Sequence, residues 1–226
     1  LDALEAAGHP VIRITLSDRR DLAREMYRWE VATAAAGAVL GIHPFNQPNV
    51  EAAKKLAKQA MRGAGGNGQA DIDEVDGRDA EALARALGAL FTEADADDYV
   101  SIQAYLAPSD ATDETLHQLV EKLRDRLKLA TTLGYGPRFL HSTGQLHKGG
   151  PNTILALQLV DTPDAEVPVP ETDFTFRELI RAQAIGDYQA LREQDRTVLR
   201  IQLGPDAEAG LRYLLDAVDA TLKATA

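Results

Sequence analysis

Cysteine is absent from the 226 residues of this chain. Disulfides and thiolate metal ligands are thereby excluded, and a reducing, cytoplasmic setting is the expectation that fits. Aromatic side chains are scarce, 5% of the total with a single Trp, so any core must be built mainly from aliphatic groups. No stretch approaches the ~20 consecutive apolar residues of a membrane-spanning helix. The most apolar run, residues 31–42, is alanine-rich and leads into His43-Pro44. Basic residues are outnumbered: 24 Lys and Arg stand against 35 Asp and Glu, a formal net charge of −11. Such a surface repels polyanions, so neither nucleic acid nor an anionic membrane is expected as a partner. A small phosphorylated metabolite stays compatible, because a pocket is governed by its local donors. An initiator Met and a basic leader are both missing at Leu1-Asp2-Ala3, which sets the expectation that the chain is part of a longer polypeptide.

What is present is an alternation of strand-like and helix-like segments. Residues 11–16 alternate apolar and polar groups and predict a short strand. Ser17 or Asp18 is placed to cap the next helix, whose Leu22, Met26, Trp29, Thr33, Ala36 and Leu40 recur at helical spacing. Tyr27 and Trp29 read as packing groups. Gly37 lets another backbone approach, and Gly41 is placed to end the helix. Pro44 and Pro48 break regular pairing, and Pro48 suits the first turn of a further helix. Residues 63–78 then form a glycine-rich, acidic linker. Beyond it the pattern predicts helices over 81–91, 112–129, 174–192 (broken near Gly186-Asp187) and 209–223. Strands are predicted over 99–106, 131–135, 138–141, 153–160 and 198–203. Residues 142–152 form a polar loop, and 161–170 an acidic, proline-rich one. The layers implied are α/β or α+β.

Two runs concentrate chemistry. The first is Phe45-Asn46-Gln47-Pro48-Asn49-Val50-Glu51-Ala52-Ala53-Lys54. Gln47 sits near a helix start, where free N–H groups favour an anion. Lys54 lies two turns further, roughly on the same face. A lysine perturbed by its neighbours can serve as general acid or base. Lys54, Lys55 and Lys58 read equally well as a solvated helix face. The run resembles the carboxy-terminal signature of glucose-6-phosphate isomerases, Phe-Asp-Gln-x-Gly-Val-Glu-x-x-Lys. Phe45, Gln47, Val50, Glu51 and Lys54 match it; Asn46 and Asn49 depart from it. The resemblance implies that Lys54 takes part in opening the sugar ring and that Gln47 lies beside the substrate.

The second run, residues 134–152, packs His141, His147, Arg138, Lys148 and several amide and hydroxyl groups into a glycine-rich stretch. Glycines leave backbone N–H groups free to approach a phosphate, and histidine is a side chain type that can transfer protons near neutral pH. A strand–turn–strand with surface histidines explains the same residues, and Arg138 suits either a phosphate contact or an ordinary strand. A zinc site lacks ligands. His141-Ser142-Thr143-Gly144-Gln145-Leu146 resembles a second isomerase element, here following the lysine element where the family has it preceding. The longer run, with residues 181–191, is similar to the extension of bacterial enzymes that fuse a transaldolase to a glucose-6-phosphate isomerase.

The resemblance implies the end of a sugar-isomerase (SIS-like) α/β domain over residues 1–62 and an α+β subdomain over 79–226. It implies conversion of glucose 6-phosphate to fructose 6-phosphate by ring opening and enediol proton transfer, without cofactor or metal. Lys54 and His141 are the implied catalytic groups, with Gln47, Gln145, Lys148 and Arg138 binding substrate. The family's glutamate base and phosphate loop are not recognisable, so the chain alone is expected to be inactive. The partners implied are a hexose phosphate, the rest of an isomerase or transaldolase–isomerase polypeptide, and a second copy in a homodimer. A non-catalytic assembly module or a sugar-phosphate-binding regulatory module is the alternative reading.

Overall fold

The structure, a computed structural model, describes residues 1–63, 72–164 and 166–224. The chain divides into two compact units, Leu1–Asn46 and Gln47–Ala226. This division falls ahead of the glycine-rich segment; residues 64–71 of the predicted linker lie outside the described residues.

The first unit holds helix α1, Asp2–Ala6, and helix α2, Arg19–Leu40. Asp18 caps α2 in a capping box with Asp21, as its position predicts. Gly41 ends α2 with φ 69°, a left-handed conformation that glycine adopts without steric cost. A Cβ on Gly37 would lie 2.6 Å from the Pro44 ring, so the close approach expected there is made by a proline. Residues 11–16 are not a strand: no other strand of this unit is described to pair with them, and an unpaired strand is not stable. Arg13 instead pairs with Asp2 and Glu5. The α2 periodicity is present, but Tyr27 and Trp29 are 69% and 59% exposed and do not pack as expected.

The second unit is built on a sheet of five strands: β1 Glu74–Asp76, β2 Tyr99–Tyr105, β3 Ala130–Tyr135, β4 Ile154–Val160 and β5 Thr197–Gln202. All are parallel, in the order β1-β5-β4-β2-β3. Parallel neighbours need crossover connections, and helices supply them: α4 Ala80–Thr92, α5 Asp110–Leu127, α6 Gly144–Gly149 and α7 Phe176–Arg192 join successive strands, while α3 Pro48–Gly63 precedes β1 and α8 Ala207–Ala224 follows β5. The unit is therefore α/β, and the α+β expectation gives way. Asp79, Ser109 and Thr175 cap α4, α5 and α7 through side-chain hydrogen bonds. Glu74–Asp76, inside the predicted linker, is an edge strand paired with β5.

Each strand alternates its side chains between two faces. Ile102, Leu157 and Ile201 belong to a core cluster that also holds Leu83 and Leu87 of α4, Leu116 and Leu123 of α5, and Leu214 and Val218 of α8. Each such buried aliphatic side chain stabilises the fold by about 1.5–3 kcal/mol. The opposite face carries Ser101, Gln103, Gln158 and Arg200, all buried, and Gln158 there bonds the α7 backbone.

Three predicted details differ. Arg138–His141 is a short 3-10 helix, not a strand. The polar loop after it contains α6. The α7 helix runs unbroken through Gly186 and Asp187. Glycine is there because α3 crosses at that point: a Cβ on Gly186 would stand 2.5 Å from Ala57 N and 2.7 Å from Ala53 O. Gly88 of α4 differs, since its Cβ would meet only Thr221 Cγ2 at 3.9 Å. Gly186→Ala should therefore cost about 2–3 kcal/mol by forcing α3 from α7, while Gly88→Ala should add about 0.5–1 kcal/mol. Urea denaturation of both variants checks the opposite signs.

Candidate functional site: a cleft at the carboxyl ends of the strands

The polar face is organised by register. Gly134, Gln103, Gln158, Arg200 and Glu74 are successive neighbours across β3, β2, β4, β5 and β1, one row spanning the sheet. Gln158 Nε2 donates to Ala184 O of α7 at 3.1 Å. Arg200 Nη1 donates to Gln158 Oε1, and Arg200 Nε donates to Glu74 Oε2 at 2.7 Å. Burial pushes the Arg200 pKa down, against the opposing effect of Glu74. Above this row, Lys148 of α6 and Asp187 of α7 form an ion pair with both side chains fully buried. Tyr105 is buried beside Asp187; burial, then that carboxylate's charge, raises its phenol well above the usual range.

Towards the amino end of β2, His147 lies between two hydroxyls, Tyr99 at 2.7 Å from Nδ1 and Ser101 at 3.4 Å from Nε2. It stacks on Tyr99 with ring centroids 5.8 Å apart. Burial, then the Lys148 charge, lowers its pKa to about 4.

The strand order locates a crevice. From β2 the chain moves outward to β3, and from β4 it moves the other way to β5. The two connections part at the carboxyl ends of β2 and β4, the position where doubly wound sheets take ligands. A cleft of about 2160 Å³ opens there. Residues 105–108 at the end of β2, 135–138 at the end of β3 and 160–163 at the end of β4 line it, together with faces of α3 and α7 and the β5–β1 edge. Asp161, the first residue past β4, is half-buried in this wall, and burial raises its pKa to about 6. Arg138, Arg177, Arg181, Arg192, Arg200 and His141 also line the cleft. Arg177 is held by Glu166 and by Pro163 O. Among the described residues, Arg138 and Arg181 have no ion-pair partner. No group of three or more His, Asp or Glu among the described residues is arranged to hold a metal ion.

The candidate residues scatter. His141 and Arg138 reach the cleft. Lys54 does not line it; its side chain is 51% exposed and pairs with Glu51 at 2.6 Å. Gln47 is exposed at the start of α3. Gln145 fastens that start: its Oε1 accepts from Asn49 N at 3.1 Å and its Nε2 donates to Asn49 Oδ1 at 2.7 Å. Lys148, fully enclosed with Asp187, has no exposed atom with which to meet a substrate, so its place is structural. The structure brings the two dense runs together at Asn49–Gln145, and does so away from Lys54. Sequence clustering passes over Asp161, Arg181 and Arg200: Asp161 is marked only by its place just past an apolar strand, Arg200 by its place inside one, and Arg181 by no comparable signal.

No protein-family model matches the chain. A glucose-6-phosphate isomerase of Rubrobacter xylanophilus is 41% identical over 61 residues, 26% of this chain and 14% of that protein. A probable glucose-6-phosphate isomerase of Halobacterium salinarum is 35% identical over 63 residues, 27% of this chain and 15% of that protein. The chain thus spans about a seventh of these relatives' length. Among solved structures, a hypothetical protein of Thermus thermophilus is 18% identical with a TM-score of 0.48, over 74% of this chain and 44% of that one. Among the described residues no helix is long and apolar enough to cross a membrane.

The two perturbed groups act oppositely on stability. His147 is neutral in the fold down to about pH 4, whereas the unfolded chain protonates near pH 6.5. Its stabilisation is full above that value and is lost as pH falls towards 4. Asp161 holds its proton up to about pH 6 in the fold, so its contribution is lost as pH rises through that range. His147→Gln should flatten the fall in stability between pH 7 and 4, and Asp161→Asn should steepen it. Urea midpoints measured across that range, each variant against the parent, check both slopes.

Proposed function

We propose that this chain is the carboxy-terminal α/β part of an isomerase interconverting glucose 6-phosphate and fructose 6-phosphate, and that the hexose phosphate lies in the cleft beyond β2 and β4. The observation that carries this reading is the cleft itself: a switch-point crevice bearing His141, Asp161 and unpaired guanidinium groups. The identity of a segment of the chain with two glucose-6-phosphate isomerases supports the choice of reaction. The likeness of residues 134–152 and 181–191 to fused transaldolase–isomerase enzymes supports a parent polypeptide of that kind, with a SIS-like domain at its junction.

The reaction requires a proton to be given to the ring oxygen and one removed from the anomeric hydroxyl. A second base then moves a proton between the adjacent carbons through the enediol. His141 is the cleft's candidate for the ring-opening transfer. Asp161, with a pKa near 6, is suited to accept and return the carbon-bound proton, because a base poised near the working pH transfers protons efficiently. Arginines at the cleft stabilise the enediolate charge as it develops. Lys54 enters this scheme only where another body of the parent protein brings substrate to its helix face.

One observation favours the second reading, a sugar-phosphate-binding module without turnover. Lys54 is engaged by Glu51 and lies off the cleft.

Calorimetric titration of the 226-residue chain with glucose 6-phosphate, with a coupled assay for fructose 6-phosphate, tests both. Binding without turnover is expected, because ring opening needs both an acid and a base and the cleft offers His141 alone for that step. Absence of binding removes the cleft as the sugar-phosphate site, and turnover removes the binding-only reading. In the active parent enzyme, His141→Ala should slow ring opening and Asp161→Asn the enediol proton transfer, each by about 10²- to 10⁴-fold. A wild-type rate in either variant excludes that residue.

A further inference from the structure

The cleft has two cationic poles. One is the Arg138–His141 turn after β3. The other lies three strands away, where Arg200 of β5 and Arg181 of α7 both line the wall. Strands stand about 4.8 Å apart, so the poles are separated by roughly 14 Å of sheet. The second pole is built. Arg200 is 3% exposed and is fixed by Gln158 on one side and Glu74 on the other. Arg181 is exposed on α7 and lies one helical turn beyond Arg177, which is already consumed by Glu166.

Asp73, Glu74, Asp161, Glu178 and Glu193 line the cleft with Arg181, and among the described residues none of them is ion-paired with it. Glu74 belongs to Arg200. Glu178 closes the capping box at the start of α7. Two guanidinium groups, of which Arg200 alone is ion-paired, therefore share this wall with Glu74 and Asp73. Arg181 is close enough for its charge to disfavour that of Arg200. Like charges held together in a cleft favour an anion that spans them, and guanidinium groups match phosphate oxygens bidentately.

We propose that Arg181 and Arg200 form an anion subsite that takes a phosphate group, at the β5 side of the cleft and separate from the Arg138–His141 turn. This deepens the hexose phosphate reading and rests on it only for the sugar: the phosphate end anchors at Arg181, and the ring extends towards Asp161 and His141. Glycine-rich residues 134–152, where the sequence suggested phosphate contacts, then serve the sugar end.

Arg200 is interlocked with the sheet, so the informative variants are at the exposed Arg181. Inorganic phosphate, and separately glucose 6-phosphate, are titrated calorimetrically into the parent chain, Arg181→Gln, Arg181→Lys and His141→Gln, with far-ultraviolet circular dichroism confirming the fold. Arg181→Gln should weaken inorganic phosphate roughly tenfold to a hundredfold. Arg181→Lys should recover part of the loss, and His141→Gln should leave inorganic phosphate unchanged. Phosphate affinity equal in the parent and Arg181→Gln overturns the subsite, as does a parent chain that does not bind phosphate. If phosphate binds through Arg181 but glucose 6-phosphate binds no more tightly, the subsite stands and the sugar-phosphate reading falls. If glucose 6-phosphate binds well and Arg181→Gln does not weaken it, the reading stands and the subsite falls.

Discussion

A strand buried on both faces leaves its polar side chains no water to turn to. In this sheet one face is aliphatic and the other carries Gln103, Gln158 and Arg200, no less buried. An unpaired buried polar group costs about 1–3 kcal/mol; Gln158 and Arg200 find partners inside the protein, while the Gln103 amide has none among the described residues. Gln158 finds Ala184 O and Arg200, and Arg200 finds Glu74. The requirement fixes register. Sliding β5 by one residue would drive Arg200 among the leucines and turn Leu199 or Ile201 to the polar side. Three linked side chains, Gln158, Arg200 and Glu74, thus set how β4, β5 and β1 align.

The same requirement places α7. Its backbone must meet Gln158 at Ala184, and three residues later its Asp187 must meet Lys148. An enclosed ion pair contributes little net stability against a well-packed apolar alternative, yet removing one partner is costly. Its consequence here is positional, since α7 can adopt one rotation about its axis and no other. Gly186, between those two contacts, admits the α3 backbone. With the inner face so fixed, Arg177, Arg181, Tyr188 and Arg192, spaced four, seven and four apart, must share the edge that overlooks the cleft. The charge of the cleft follows from the satisfaction of the core.

Much of this was legible from periodicity. The cap at Asp18, the stop at Gly41 and the long apolar strands β2 and β4 all carry local signals, and local signals survive folding. What failed was non-local. Residues 11–16 have a strand's alternation but no neighbour to pair with. Gly186-Asp187 reads as a break because glycine lowers helix propensity, whereas its use is to admit another helix. Arg138 and Phe139 alternate like a strand and close a 3-10 turn instead. For the site, dense polar runs pointed to residues 138 and 141, and both reach the cleft. They also pointed to Lys148, whose partner 39 residues on in the sequence could not be known beforehand. Asp161 and Arg200 stand singly in apolar surroundings, so a search for clusters passes over them. A better question is why a strand buried on both sides tolerates a charge.

The acidic composition and the arginine-lined cleft are compatible because they act over different distances. At physiological salt the Debye length is about 8 Å, so exposed carboxylates on the far side of the unit contribute little to the potential at Arg181. Within the cleft the balance is set by what each charge touches. Glu74, Glu178 and Glu166 are bound to Arg200, the α7 cap and Arg177 respectively, and a carboxylate so engaged offsets only its own partner. Among the described residues Arg138, Arg181 and Arg192 have no ion-pair partner, and Asp73, Asp161 and Glu193 line the cleft with them. A formal charge of −11 then acts as a filter: extended polyanions meet a repelling surface, while a small dianion that fits the crevice meets guanidinium groups. That selectivity suits a metabolite phosphate, and it arises from the pairing of side chains and not from the total charge.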